Sequence, residues 1–270
     1  MSVLGNDGPR VIYPACPLCK SAECAVVKVA DCTKHPAYHP SLGDTMRWKQ
    51  CKACAHVFAD GYFTPDALTL LASTAIPGQI VGVDLETART RWAKLVEKIA
   101  LYHNTDEDGR VWMDVGFGDG SLLFTAAEWG YNVVGLDLRA ANVEAMTRIG
   151  IPAYRQELTD CEDFNRFDVI SLANTLEHLP YPGETLAHAH RLLKMDGLLL
   201  LSTPNMDTIV WRLWDQHNIN PYWGELEHYH NFTRKRLYEL CAANGFVALH
   251  YSVNERYRSG MEVVFRRTNQ

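Results

Sequence analysis

A chain of 270 residues, 47% of them hydrophobic, can bury one large domain or a domain with a small appendage. No run reaches the roughly 18 apolar residues of a membrane span, and Met1 to Arg10 lack a signal peptide's hydrophobic stretch. A cytoplasmic protein without a membrane partner is therefore expected, and the formal net charge of -6 disfavours a long nucleic-acid track.

The first elements are cysteine knuckles. Cys16-Pro17-Leu18-Cys19 and Cys51-Lys52-Ala53-Cys54 are CxxC pairs, with Cys24, Cys32, Cys161 and Cys241 outside them. Without export signals, such pairs favour metal over disulfides. Four thiolates suit one tetrahedral structural zinc ion, Zn2+, with no open position for catalysis. The stretch between them, where Val26 to Val29 suits a small strand, has too little core to fold alone, so metal would supply stability. A redox CxxC or unrelated buried thiols are the alternatives, and Cys24, Cys32, His35 and His39 are spare ligands. Thr33 to Ser41 reads as a loop.

Ala67 to Thr74 suits a short helix before a Pro77-Gly78 break. Asp84 to His103 reads helical, because Leu85, Ala88, Trp92, Leu95 and Ile99 recur at intervals of three or four. Asn104 to Gly109 is a polar turn. From Arg110 onward strands alternate with helices: strands at Val111 to Val115, Val133 to Leu136, Ala153 to Glu157, Asp168 to Ala173 and Gly197 to Ser202. Helices are expected at Ser121 to Trp129, Ala140 to Arg148, Glu184 to Leu193 and Thr233 to Ala243. Strands at Phe246 to Val253 and Met261 to Arg266 suggest a terminal hairpin. The nearly continuous apolar strands imply an α/β fold with a parallel sheet covered on both faces. The expected division is a zinc-binding module over 1–66, a connecting helical region over 67–109 and the α/β domain over 110–270.

The sharpest motif is Asp114-Val115-Gly116-Phe117-Gly118-Asp119-Gly120, directly after a hydrophobic strand. A dinucleotide fingerprint starting at Gly116 would need glycine where Ser121 stands, and no phosphate-loop ending follows. Asp114 is awkward beside a pyrophosphate but suits a cation, such as the ammonium of S-adenosylmethionine. Asp137 closes the next strand at about the 20-residue interval of a ribose-holding carboxylate. In Gln156-Glu157-Leu158-Thr159-Asp160, Glu157 or Asp160 can accept from an adenine amine while Leu158 lines the ring. Asp160 is equally readable as a solvated carboxylate.

This block resembles the class I (Rossmann-like) S-adenosylmethionine-dependent methyltransferases. The likeness runs through the DVGFGDG turn, Asp137, Phe167-Asp168-Val169-Ile170, Leu176-Glu177-His178-Leu179 and Leu200 to Asn205. It implies a seven-stranded, mostly parallel sheet with an antiparallel last strand, preceded by a small zinc-ribbon-like module. It also implies a donor site of Asp114, Gly116, Gly118, Gly120, Asp137, Leu138, Glu157, Leu158 and Asn174. The front part resembles a zinc-binding region attached to some of these enzymes, among them sugar-modifying ones.

Methyl transfer to oxygen needs alignment and a proton acceptor. His178, after the fourth strand, leads as base, and Glu177 can orient it; a helix-start histidine bonded to backbone is the plainer reading. Asn174-Thr175-Leu176-Glu177-His178 also resembles ubiquinone-pathway O-methyltransferases, where a further glutamate replaces Asn174 and helps to hold a divalent metal. Asn174 removes that ligand. Pro204 to Thr233 carries Trp211, Trp214, Tyr222, Trp223, His228 and His230, which can enclose an acceptor or pack a lid helix. His228 and His230 are further candidate bases. No Asn/Asp-Pro-Pro-aromatic motif follows Ala173, which disfavours methylation of nucleobase amines. The expected activity is methylation of a small-molecule acceptor, first a hydroxyl of a sugar or phenolic metabolite. The alternatives are an RNA or protein methyltransferase guided by the zinc module, and a non-catalytic binding or scaffolding protein. The oligomeric state is open, a homodimer included.

Overall fold

The computed structural model describes residues 9–72, 80–83, 85–103 and 109–269. Most of Met1 to Arg10, the end of the first expected helix, the Pro77-Gly78 break, Asp84 and most of the Asn104 to Gly109 turn lie outside them. In chain order come β1 (Arg10–Ile12), β2 (Cys24–Asp31), β3 (Thr45–Cys51), β4 (Val57–Ala59), β5 (Gly61–Phe63) and α1 (Pro65–Ala72). There follow α2 (Leu85–Tyr102), β6 (Val111–Val115), α3 (Ser121–Glu128), β7 (Asn132–Leu136), α4 (Ala140–Arg148), β8 (Ala153–Tyr154) and β9 (Phe167–Ala173). The remainder is α5 (Pro182–Leu192), β10 (Leu193–Pro204), α6 (Ile209–Gln216), β11 (His230–Asn231), α7 (Arg234–Ala242), β12 (Phe246–Val253) and β13 (Gly260–Arg267).

The described chain forms two compact units. The first comprises Met1–Ile76, Glu177–Pro182 and Asn205–Leu237; the second comprises Pro77–Leu176, Gly183–Pro204 and Tyr238–Gln270.

In the second unit a seven-stranded sheet runs in the order β12-β13-β10-β9-β6-β7-β8. Pairings from β10 across to β8 are parallel, and β13 lies antiparallel to both β10 and β12. This is the Rossmann-like mixed sheet that the resemblance implied. Leu198 to Leu201 in β10 are each fully buried, as a central strand covered on both faces requires. The expected apolar stripe of α2 is real: Trp92, Leu95, Val96 and Ile99 pack into the core with Trp112 and Leu200. Trp92 also donates its indole N–H to Ser121 Oγ at 2.8 Å, so its one polar atom is satisfied inside.

Two strands depart from expectation. β10 begins early, at Leu193, because a bulge between Leu193 and Leu198 absorbs Asp196, whose φ is +60°. The expected strand over Ala153 to Glu157 is cut to Ala153–Tyr154. Its partner β7 ends at Leu136, so nothing remains for residues 155–157 to pair with. Glu157 instead precedes a 3-10 turn at Leu158–Asp160.

The first unit contains a four-stranded antiparallel sheet, β11-β4-β3-β2, and the pair β1-β5. Its core joins Met46, Trp48 and Phe63 to Trp211, Trp223 and Tyr229. Trp48 donates to the Trp223 carbonyl at 2.8 Å. Much of the aromatic density after β10 is thus core of this unit. Residues 205–237, which the expected division placed within 110–270, cluster in this unit, where these rings bury with Trp48 of β3.

Leu200→Ala should cost about 2–5 kcal/mol by leaving a cavity in a fully buried strand. Urea unfolding read by a probe within the second unit tests this, and a loss below about 1 kcal/mol would contradict the packing described.

Candidate donor cradle, cysteine cluster and histidine cluster

The donor side is built in the second unit where β6 turns into α3. Gly116, Gly118 and Gly120 have φ of +69°, +55° and +78°, a region that excludes ordinary side chains. A Cβ on Gly116 would also lie 2.7 Å from Thr175 Oγ1, so steric room and backbone angle both demand glycine there. At Gly118 the space is open, the nearest atom being Gly116 O at 3.9 Å, which leaves a cradle that a side chain would fill. Asp119 Oδ1 accepts from Ser121 N at 3.0 Å and Ser121 Oγ at 2.5 Å, fixing the start of α3.

Asp137 sits at the tip of β7 and accepts from Gly118 N at 3.1 Å and Arg139 N at 2.8 Å. Asn142 donates to the Gly118 carbonyl at 3.0 Å. One strand over, Asp114 is buried and accepts from Ser171 Oγ at 2.6 Å. Burial pushes its carboxyl up to about 7; the Ser171 hydroxyl opposes this, and the carboxylates of Asp119 and Asp137 add to it. Leu158 is buried, whereas Leu138, Glu157 and Asp160 are exposed. Asn174, at φ +57°, accepts through Oδ1 from Ser202 Oγ at 3.1 Å and Asn254 Nδ2 at 3.4 Å.

In the first unit the sulfurs of Cys16, Cys19, Cys51 and Cys54 lie within 4.8 Å of one another. Cys16 and Cys54 are 3.7 Å apart and Cys19 and Cys51 3.5 Å, close to the ~3.8 Å edge of a tetrahedron with zinc–sulfur bonds of ~2.3 Å. The knuckles are alike: the residue after each second cysteine, Lys20 or Ala55, is left-handed, with φ of 61° or 58°. Burial pushes the Cys54 thiol up to about 11. Burial also works against ionising Cys51, but the Cys54 and Ala53 N–H groups and the Cys19 thiol bring it down to about 6. Cys24 sits opposite Cys51 in the β2–β3 pairing and packs beside this group without being one of its four sulfurs.

The same unit gathers Glu177, His178 and His228, whose ligating atoms lie within 4.8 Å of one another. His178 Nδ1 lies 2.9 Å from the Glu227 carbonyl. A carbonyl only accepts, so Nδ1 carries the proton and Nε2 holds the basic lone pair. The His228 ring meets His178 edge-on at 4.7 Å and stacks under Tyr222 at 6.0 Å. Burial holds His228 down to about 3, with His178 and other rings adding and Glu225 opposing. His230 is different. Its Nε2 faces the Leu179 carbonyl at 2.9 Å and its Nδ1 faces His56 Nε2 at 3.0 Å, so both nitrogens are engaged.

A family model described as "Methyltransferase domain" matches residues 85–251. The chain belongs to this family. It carries an S-adenosylmethionine-dependent methyltransferase domain. The chain is 32% identical over 110 residues to the mitochondrial ubiquinone biosynthesis O-methyltransferase of Candida albicans, covering 37% of this chain and 34% of that one. Against the ubiquinone biosynthesis O-methyltransferase of Pseudomonas aeruginosa it is 35% identical over 106 residues, covering 36% and 45%. The matches thus span less than half the length of these relatives. Among solved structures, the 1,6-didemethyltoxoflavin-N1-methyltransferase of Burkholderia thailandensis shares the fold with a TM-score of 0.56 at 20% identity, over 79% of this chain and 96% of that one. Magnesium protoporphyrin IX methyltransferase of Synechocystis follows, with a TM-score of 0.54 at 18% identity over 68% and 86%.

In this methyltransferase the expected donor residues Asp114, Gly116, Gly118, Gly120 and Asp137 come together at two neighbouring strand tips. Sequence reasoning missed Asn142, Asp119 and Ser171; an asparagine early in the helix after Asp137 was the one available signal. It also missed His56 and Glu227, which reach the histidines only through the fold. Asn174 supplies no carboxylate to the ubiquinone-pathway ligand pattern, and its amide oxygen is taken by Ser202 and Asn254.

A donor whose ammonium faces Asp114 should bind in a pH-dependent way. The ionised carboxylate attracts an ammonium, so affinity should rise between about pH 6 and about pH 8, with proton release on binding near neutrality. Calorimetry in buffers of different ionisation enthalpy reads this. Asp114→Asn should bind more weakly and release no proton; unchanged release would assign the proton elsewhere.

Proposed function

We propose that this enzyme methylates a hydroxyl oxygen of a small-molecule acceptor, a sugar or phenolic metabolite. The observation that carries the reading is the convergence of Glu177, His178 and His228, with His178 Nε2 left basic, immediately after β9 in the chain. The names of the curated relatives, which specify O-methyltransferases, support an oxygen acceptor. No helix among the described residues is long and apolar enough to cross a membrane.

On this reading the glycine turn of Gly116, Gly118 and Gly120 receives the donor's methionine end, with Asp114 opposite its ammonium. Asp137 holds the ribose, although two N–H groups already occupy part of its accepting capacity. Leu158 supports the adenine, and Leu138, Glu157 and Asn174 border the same edge. The donor supplies an electrophilic methyl group on a sulfonium. His178 Nε2 takes the hydroxyl proton as the acceptor oxygen attacks, and Glu177 orients the ring. His228 bounds the pocket. His230, with both nitrogens committed, holds the segment rather than moving a proton. Exclusion of water and alignment supply the rest of the acceleration.

The four cysteines hold one structural zinc ion in this reading, within the module over 1–66. Nucleic acid is not a partner.

His178→Gln should keep donor affinity while lowering turnover by roughly 100-fold or more on any phenolic or sugar acceptor found with labelled donor. Normal turnover in that variant would remove the base assignment. Metal analysis should give about one zinc per chain. Cys16→Ser should lower both that content and the melting temperature of the first unit, and retained stoichiometry would overturn the ligand set.

A further inference from the structure

We propose that Asn254, in the turn of the terminal hairpin, is a positioning residue for the donor site: it holds Asn174 left-handed and so keeps Thr175 against the glycine turn. The inference rests on the donor-site reading above and adds Asn254, Ser202 and Thr175 to it.

All the groups belong to the second unit. Asn254 directly follows β12 and is fully buried. Its Oδ1 accepts from Arg256 N at 2.7 Å and Tyr257 N at 2.8 Å, so the amide cannot turn over and Nδ2 points the other way. There Nδ2 donates to Ser202 Oγ and, at 3.4 Å, to Asn174 Oδ1. Ser202 Oγ accepts that bond and donates its own hydrogen to Asn174 Oδ1 at 3.1 Å. The donors all run one way, from the hairpin toward the end of β9. The reach past β13 needs a glycine at its start. A Cβ on Gly260 would stand 3.2 Å from Asn254 Cβ and 3.0 Å from the Thr203 carbonyl oxygen.

What this clasp holds is strained. Asn174 has a φ of +57°, a cost to any residue with a Cβ, although asparagine bears it better than most. Its N–H donates to the Ser202 carbonyl at 2.9 Å, so backbone and side chain are both tied to the same residue of β10. The left-handed turn delivers Thr175 onto the donor loop. Thr175 Oγ1 donates to the Val115 carbonyl at 2.9 Å, and a Cβ on Gly116 would meet that hydroxyl oxygen at 2.7 Å. Residue 174 released from the left-handed region would carry Thr175 off Gly116 and leave the loop without this wall. Donor binding would then have to restore the strained turn, and affinity falls by that cost.

The test is calorimetry with S-adenosylmethionine on the full chain. Asn254→Ala should weaken binding by about tenfold, the scale of one left-handed residue's strain. On an Asn174→Gly background, whatever that change itself does, Asn254→Ala should cost less than about twofold more, because glycine enters the left-handed region without help. A merely structural Asn254 would lower affinity equally on both backgrounds, and that result overturns the proposal. Unchanged affinity in folded Asn254→Ala overturns it too. Should that variant not fold, Ser202→Ala removes the middle of the relay, and unchanged affinity there has the same force. Absence of donor binding in the unaltered protein would sink the donor-site reading instead. The Thr175 amide signal of 15N-threonine-labelled protein, assigned with Thr175→Ser, keeps the two apart. It should shift on Asn254→Ala with or without donor, and an unmoved signal overturns the clasp.

Discussion

Gly118 is gripped from both sides, and the glycine turn after β6 depends on that grip. Asp137 accepts its N–H and Asn142 donates to its carbonyl, while Gly116 N reaches the Leu136 carbonyl at 2.7 Å. The three left-handed glycines have no side chains with which to pack, so the buried Phe117 between them and these hydrogen bonds hold the turn. They tie it to the end of β7, and β7 is placed by its parallel pairing with β6. The cradle therefore inherits its rigidity from the sheet. Three carboxylates crowd one end, and Asp114, raised chiefly by its burial and further by Asp119 and Asp137, ionises with difficulty.

The second unit was legible because its physics is local and periodic. Leu198 to Leu201 announce a central strand, and the spacing of Trp92, Leu95 and Ile99 announces a helix against it. Both signals lie within one element. The motif at Asp114 to Gly120 was readable for a related reason: glycine at three set places has few other uses beside a strand end. What failed was the third strand, whose end depends on where its neighbour stops rather than on its own residues.

The first unit was legible in its cysteines and opaque in its extent. Two CxxC pairs point to a four-sulfur cluster, because that spacing lets both sulfurs of each pair face one centre. That Trp211 and Trp223 close the core around Trp48 depends on contacts some 170 residues apart in sequence, and no period records them. The same distance hid the hydrogen bond between His35 and Glu225, because nothing near His35 in the chain hints at a carboxylate 190 residues away.

His228 and His230 show why residue type alone could not divide the acceptor side. They stand two apart in one segment, and sequence treats them alike. The structure separates them by what each ring nitrogen meets. His230 is tied to His56 on one side and to the Leu179 carbonyl on the other, and His56 in turn offers its carbonyl to Cys51 N at 2.9 Å. A short hydrogen-bonded path thus leads from a zinc-type knuckle through two buried imidazoles to the residue after His178. Burial keeps those two rings neutral, so the path is a spacer and not a charge relay. His230 is thus the strut between the strand that carries Cys51 and the segment that carries His178. Among His178, His228 and His230, it is His178 whose Nδ1 is fixed by a backbone carbonyl without a second ring bound to it, the asymmetry on which the proposed proton transfer rests.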